Sequence, residues 1–384
     1  MSAATDSLRA QAAALKLRGE SFIDGKHVSA ASGRTFPTVN PATGATLAQV
    51  ADGAAEDVDR AVRSGRRVFD SGVWSRMPPK QRKKVLLKWA DLIERSLDEL
   101  ALMEVLDSGK PISDARAVDL PDSIETLRWH AEAIDKIYDQ IAPTQADVVA
   151  MIVREPIGVV GAVLPWNFPI FVAMWKLAPA LAGGNSIIVK PAEQTSLTCV
   201  RLAELAVEAG LPPGAFNVVT GVGETAGQAV GRHPDIDCVS FTGSGEVGRY
   251  FLKYSAESNL KKVILECGGK SPAIVMADAH DLAAIAGQLA IGILFCQGEN
   301  CSAGSRLIVQ SSIKEPLLDA LTKVFKEWKV GDPLAADTRV GAMIDQSHMN
   351  KVLGYIEKGT QQGANLVMGG KRLMAESEIG RAHV

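Results

Sequence analysis

Gln297-Gly298-Glu299-Asn300-Cys301-Ser302-Ala303-Gly304-Ser305-Arg306 sets a cysteine among small residues, and Glu266-Cys267-Gly268-Gly269-Lys270 places a carboxylate upstream of it. A thiolate that attacks, and a separately placed base that activates the releasing water, are what covalent oxidation of an aldehyde requires. Of the five cysteines, Cys199, Cys238 and Cys267 read as buried, inert thiols. Cys301 differs, because its polar, Gly-containing loop runs into Ser302-Ala303-Gly304, small enough to admit a substrate. Pro165-Trp166-Asn167-Phe168-Pro169 is a rigid turn carrying one amide side chain, a suitable donor to a developing oxyanion, with turn stabilisation by Asn167 as the plainer alternative.

Gly243-Ser244-Gly245-Glu246-Val247-Gly248 satisfies G-x-G-x-x-G after an apolar run, where backbone N–H groups and a helix dipole favour a pyrophosphate. The ordinary fingerprint makes Glu266 the ribose ligand. Lys190-Pro191-Ala192-Glu193 competes for that role, offering a carboxylate and an ammonium and leaving Glu266 for chemistry. Gly269-Lys270-Ser271 fails as a P-loop, since the leading glycine is replaced by Ile264. Ser271 fails as a hydrolase nucleophile, since Ala273 stands at the second glycine. Cys296 and Cys301 lack a neighbouring His or Cys pair, so no metal site is expected.

These residues need a scaffold. Residues 186–190 read as a buried strand, 196–208 as a helix ended by Gly210, and 216–220 as the next strand, which makes one βαβ unit. The rhythm continues through a helix at 224–231, a strand at 238–241, a helix from about 246 and a strand at 262–266. It predicts a parallel, doubly wound α/β sheet with ligands at the carboxyl ends of its strands, where Lys190, Thr242 and Glu266 fall. Upstream, a polar, Ala-rich leader precedes short strands and turns at 22–26 and 35–41. Val58, Ala61, Val62, Gly65 and Phe69 share a helical face, as do Leu86, Trp89, Ile93, Leu97 and Leu100 in a segment opened near Pro79 and stopped at Gly109. Residues 148–153 are an apolar run of strand length that reaches away from the main sheet, where a partner subunit could cover it.

A chain of 384 residues with 47% hydrophobic content supports two domains. A net charge of -3 without long like-charge runs points away from nucleic acid and membrane surfaces and towards a small partner. Scattered, odd-numbered cysteines do not form a disulfide framework, and reduced thiols suit the cytosol. Residues 1–18 lack an apolar signal core, and no apolar run reaches membrane-spanning length, so the expected location is cytoplasmic.

Taken in order, Pro165-Trp166-Asn167-Phe168-Pro169, Lys190-Pro191-Ala192-Glu193-Gln194-Thr195, Phe241-Thr242-Gly243-Ser244, Leu265-Glu266-Cys267-Gly268-Gly269-Lys270-Ser271-Pro272 and Gln297-Gly298-Glu299-Asn300-Cys301 resemble the NAD(P)-dependent aldehyde dehydrogenase superfamily, from about residue 22 to about residue 370. Arg128-Trp129-His130-Ala131-Glu132-Ala133-Ile134-Asp135-Lys136 and Ala150-Met151-Ile152-Val153-Arg154-Glu155-Pro156 are most similar to its γ-glutamyl-γ-aminobutyraldehyde dehydrogenases of putrescine breakdown. The resemblance implies Cys301 as nucleophile, Glu266 as general base, Asn167 as oxyanion donor with the Cys301 backbone N–H, and Lys176 near the base. It implies cofactor contacts from Leu164, Pro165, Trp166, Lys190, Glu193, Gly223, Gly227, Phe241, Gly243, Ser244, Val247 and Leu265. The cofactor is expected to be NAD, with NADP possible, since Glu193 repels a 2′-phosphate. The substrate is expected to be an ω-amino or γ-glutamylamino aldehyde, in a homodimer or homotetramer. A coenzyme A-acylating relative and a non-catalytic dinucleotide-binding fragment are the competing expectations.

The implied organisation is residues 1–138 and 157–265 for the dinucleotide, 139–156 for an oligomerisation strand and 266–378 for a catalytic domain. Gly245 and Glu299 stand where the family more often has Thr and Gln. The family's Glu-Ile-Phe-Gly-Pro motif is missing, and Glu378-Ile379-Gly380 only mimics it. Residues 379–384 match the translation of a common sequencing-adapter string, so a truncated catalytic domain with a non-native tail is expected.

Overall fold

The structure, a computed structural model, describes residues 3–374 and 381–383. Helix α1 (Ala3–Ala14) precedes two hairpins, β1 (Ser21–Ile23) with β2 (Lys26–Val28) and β3 (Thr35–Val39) with β4 (Thr46–Ala51). Helices α2 (Ala55–Ser71), α3 (Pro79–Arg95), α4 (Leu97–Ser108), α5 (Ile112–Asp114) and α6 (Leu120–Ala133) follow, and then β5 (Gln140–Ala142) pairs with β6 (Ala150–Ile152). An alternating stretch runs through β7 (Val159–Val163), α7 (Pro169–Ala182), β8 (Ser186–Lys190), α8 (Leu197–Ala209), β9 (Phe216–Val218), α9 (Gln228–Arg232), β10 (Cys238–Gly243), α10 (Gly245–Ala256) and β11 (Lys262–Cys267). Beyond it lie β12 (Pro272–Val275), α11 (Leu282–Leu294), β13 (Arg306–Val309), α12 (Lys314–Glu327), α13 (Gln346–Gln361), β14 (Lys371–Leu373) and β15 (Arg381–His383).

The main sheet has seven strands in the order β11-β10-β7-β8-β9-β1-β2. From β11 to β9 every pairing is parallel, as the alternating sequence predicts. The edge departs from that expectation, because β1 and β2 add as an antiparallel hairpin. Strands β7 and β8 are buried along their whole length, and the period of two explains how both faces are used. Val160, Ala162, Ile187 and Val189 pack into a core with α3, α4, α6, α7 and α8. Val159, Val163, Ile188 and Val239 face α2 and α10. A smaller core around Val275, Ala286, Leu317 and Leu321 joins β12, α11 and α12, and β12 pairs in parallel with β13.

The leader gains a defined structure, and one upstream expectation needs correction. The Ala-rich leader is helical, because Thr5 and Leu8 are buried one turn apart and Arg9 pairs with Asp332 at 2.5 Å. The segment from Pro79 to Gly109 is two helices, broken at Ser96 (φ -97°, ψ 16°). A straight continuation would keep one apolar face, whereas α4 is buried on every side from Leu100 to Ser108 and must turn inwards. Its stop at Gly109 is as expected, with φ 78° supplying the left-handed residue that closes a helix. Residues 150–152 form a hairpin apart from the main sheet, as the apolar run suggests. Of the motif Glu378-Ile379-Gly380 and the tail, residues 378–380 and 384 lie outside the described residues, while β15 pairs with β14.

Candidate active site

Parallel register brings the strand ends into one row. Val163 lies beside Lys190, and Thr242 beside Glu266. The chain leaving β7 is tied down where the Leu164 N–H donates to the Lys190 carbonyl at 3.0 Å, and it then turns through Pro165, Trp166 and Asn167. Asn167 is held from both ends of its amide. Its Oδ1 accepts from the Phe168 N–H at 3.1 Å, which fixes which end is oxygen, and its Nδ2 donates to the Glu299 carbonyl at 2.6 Å. One amide hydrogen is used there, and Nδ2 has another to give.

Glu299 stands two residues before Cys301, so this bond joins the amide turn to the cysteine loop. Within that loop the Asn300 Oδ1 accepts from the Ser302 N–H at 3.1 Å and from the Ser302 hydroxyl at 2.9 Å, while the Ala303 N–H donates to the Asn300 carbonyl at 3.2 Å. The turn so formed carries Cys301 at its bend, exposed to solvent. Cys296 and Gln297 precede it in left-handed conformations with φ of 52° and 56°.

Glu266 is exposed near the end of β11. Lys176, from α7, is buried and donates to the Ser240 hydroxyl at 2.8 Å. Burial pulls its ammonium down to about 8, and the negative charge of Glu266 opposes that shift, which places the two within electrostatic reach. At the next strand end Lys190 is buried, and its Nζ lies 2.9 Å from Glu193 Oε2, whose side chain remains 37% exposed.

The glycines divide by physical role. A Cβ on Gly243 would come 2.5 Å from the ring of Phe241, which stacks on Phe251, and one on Gly248 would meet Cys267 Sγ at 3.1 Å beside Leu265. Gly223 opens onto free space, and Gly227 lies against the Lys190 chain. Ser244 caps α10, its hydroxyl accepting from the Val247 N–H at 3.2 Å. One donor expected to await a phosphate is therefore already occupied.

Cys267 departs from the sequence reading. It is exposed, because it ends β11 at the open edge of the sheet. Cys199 and Cys238 are buried as expected. Among the described residues no cluster of three or more His, Cys, Asp or Glu suits a metal ion, and no helix is long and apolar enough to cross a membrane.

Sequence reasoning passed over the surroundings of Glu299. Its buried carboxyl accepts from the Ile344 N–H at 3.1 Å and from Gln297 Nε2 at 3.4 Å, with His348 Nε2 at 3.7 Å, and burial pushes it up to about 8. His348 packs edge-on against Trp166 at 4.9 Å. A cavity of about 630 Å³ opens beside the cysteine loop, lined among others by Lys270, Asn300, His348, Lys351 and Tyr355. The one signal in the sequence was Glu299 itself, at a place where glutamine is more frequent.

Comparison with known proteins gives four concordant findings. The profile of the Aldehyde dehydrogenase family matches residues 27–382. Aminoacetaldehyde dehydrogenase of Pseudomonas aeruginosa is 54% identical over 94% of this chain and 72% of its own. Among solved structures, P. syringae indole-3-acetaldehyde dehydrogenase AldA, in complex with NAD+ and IAA, superposes with a TM-score of 0.98 at 47% identity, over 100% of this chain and 77% of that one. The γ-glutamyl-γ-aminobutyraldehyde dehydrogenase of Burkholderia cenocepacia gives 0.97 at 46% identity, over 99% and 77%.

Proposed function

The chain belongs to the aldehyde dehydrogenase family, and from that premise we propose that it oxidises an amino-bearing aldehyde, of the ω-amino or γ-glutamylamino class, to the carboxylic acid with NAD. The observation that carries the reading is the oriented Asn167 amide, tied by its Nδ2 to the Glu299 carbonyl two residues before Cys301.

In this reading the Cys301 thiolate adds to the aldehyde carbon, and the negative charge gathering on oxygen is met by the free Asn167 N–H and the Cys301 backbone N–H. Bound nicotinamide would supply the hydride acceptor, and the Cys301 thiohemiacetal, on losing its hydride, would become a thioester. Glu266 then takes a proton from water as the water attacks the thioester, releasing the carboxylate and restoring the thiolate. Lys176 supplies a positive field to Glu266.

The residues fit a dinucleotide. Buried Lys190 holds a partly open Glu193 carboxylate, a pair suited to ribose hydroxyls and hostile to a 2′-phosphate, which favours NAD over NADP. Gly223 and Gly227 leave room beside that pair, and the reading assigns the remaining cofactor contacts to Leu164, Pro165, Trp166, Phe241, Gly243, Ser244, Val247 and Leu265. On the same reading residues 1–138 and 157–265 serve the cofactor and 266–378 the chemistry. The hairpin within 139–156 docks onto a second copy, in a dimer or tetramer, in the cytoplasm.

The test is NADH formation from γ-glutamyl-γ-aminobutyraldehyde, aminoacetaldehyde and a simple alkyl aldehyde, with the product identified as free acid. Cys301→Ala is expected to abolish turnover. Retained turnover in that variant would sink the assignment.

A further inference from the structure

Two acids on α4 leave their own helix to serve the starts of two others. Glu104 Oε1 accepts from the Ile170 N–H at 3.1 Å in the first turn of α7, and Asp107 Oδ2 accepts from the Leu197 N–H at 3.0 Å in the first turn of α8. Both acids are fully buried, and their spacing of three residues puts them on neighbouring turns of one face. Helix N-termini present unpaired N–H groups that carboxyl oxygens satisfy. Neither Phe168 nor Ser196, the residues at the cap positions of α7 and α8, caps its own helix with a side chain. Asn167 leads directly into α7, and the loop of Glu193 and Gln194 leads into α8. One helix therefore stands behind both halves of the site.

The link on the α8 side continues through Thr38. Its hydroxyl lies 3.1 Å from Asp107 Oδ1 and 3.1 Å from the Gln194 carbonyl. One hydroxyl proton cannot serve two acceptors, and a carbonyl can only accept. With a proton on Oδ1, Asp107 donates to Thr38 and Thr38 donates to Gln194, so every group is satisfied. Burial, which pushes Asp107 up to about 8, supplies that protonated form at neutral pH. On the α7 side, Lys110 lies 3.8 Å from Glu104, pairs with Asp119, and sits 4.6 Å over the ring of Phe168, the neighbour of Asn167.

We propose that α4 sets the geometry between the two halves of the site, with Asp107 acting through Thr38 as a positioning residue for the Glu193 loop and Glu104 as a positioning residue for the Asn167 turn. The proposal rests on the reading of Glu193 as ribose ligand and Asn167 as oxyanion donor. It separates two effects that general destabilisation would move together: the Asp107–Thr38 link governs cofactor affinity, and Glu104 governs the rate of chemistry.

The experiment is NAD titration by isothermal calorimetry on the full chain, beside steady-state kinetics normalised to the concentration of folded protein. Thr38→Val is expected to weaken NAD binding about five- to tenfold, the worth of one buried hydrogen bond, with kcat within about twofold. Thr38→Ser restores affinity. Asp107→Ala weakens NAD as Thr38→Val does, and Asp107→Asn rescues it, since the amide both accepts from Leu197 and donates to Thr38. Glu104→Ala lowers kcat and leaves the NAD dissociation constant in place, while Glu104→Gln, which keeps the acceptor for Ile170, recovers most of the rate. Thr38→Val that binds NAD like the wild type overturns the proposal, as do variants in which NAD affinity and kcat fall together. A wild-type chain that binds no NAD refutes the functional reading itself, and this proposal with it.

Discussion

Asn167 uses its carbonyl on one neighbour and half its amino group on another, so the remaining N–H is aimed by the fold before any substrate arrives. Such preorganised donors act where charge develops, and removing one costs catalysis about 10²–10³-fold. Asn167→Ala is therefore expected to lower kcat by that order with little change in NAD affinity. A kcat within about threefold of wild type would remove Asn167 from the chemistry.

Glu299 carries a second prediction at this scale. Its folded value of about 8 lies above the ordinary 4.5 because burial penalises the ionised form. Between those values the folded chain holds a proton that the unfolded chain has released, so stability falls as pH rises across that window and is flat above it. Glutamine mimics the protonated acid without titrating. The melting temperature of Glu299→Gln relative to wild type should therefore climb from about pH 5 to about pH 8 and then level off, measured by thermal unfolding in matched buffers. A difference independent of pH would mean that Glu299 is ionised in the folded chain.

At the scale of elements, Gly109 shows how one residue ties α4 to the far side of the site. Its φ of 78° disfavours any side chain, and a Cβ there would lie 2.5 Å from the Ala342 carbonyl oxygen. The same backbone is held by the Ala342 N–H donating to the Gly109 carbonyl at 2.9 Å, two residues before Ile344 reaches Glu299. Gly109→Ala should cost more than the 1–2 kcal/mol, roughly, of the left-handed conformation alone, read by chemical denaturation. A smaller loss would mean that the 341–344 segment yields freely. Gly109 and Gly210 were legible as stops because glycine announces the conformation that closes a helix. Strand β8 was legible because burial on both faces leaves a continuous apolar run. The break at Ser96, the antiparallel edge hairpin and the helical start had no such punctuation, being settled by what each segment packs against. The same divide runs through the site. Cys301, Asn167 and Glu193 stand in loops whose residue types declare a chemistry, whereas Glu104 and Asp107 look like ordinary surface acids until tertiary packing buries them.

For the whole molecule the telling feature is the hairpin of β5 and β6. It is three residues long on each strand, stands apart from the main sheet, and leaves Ile141 76%, Val149 77% and Met151 68% exposed. A lone two-stranded hairpin is marginal in water, and clustered apolar side chains that stay wet mark a surface meant to be covered. Tyr138, 78% exposed, and Trp129, 63% exposed, precede the hairpin in the chain as further exposed aromatic side chains. A second copy is the occupant that the proposed dimer or tetramer supplies. Ile141→Asp combined with Met151→Asp should then shift the chain to a smaller species in sedimentation velocity, with far-ultraviolet circular dichroism unchanged because neither residue enters a core. If the double variant sediments as the wild type does, the hairpin is not the contact, and the oligomer must close through another face.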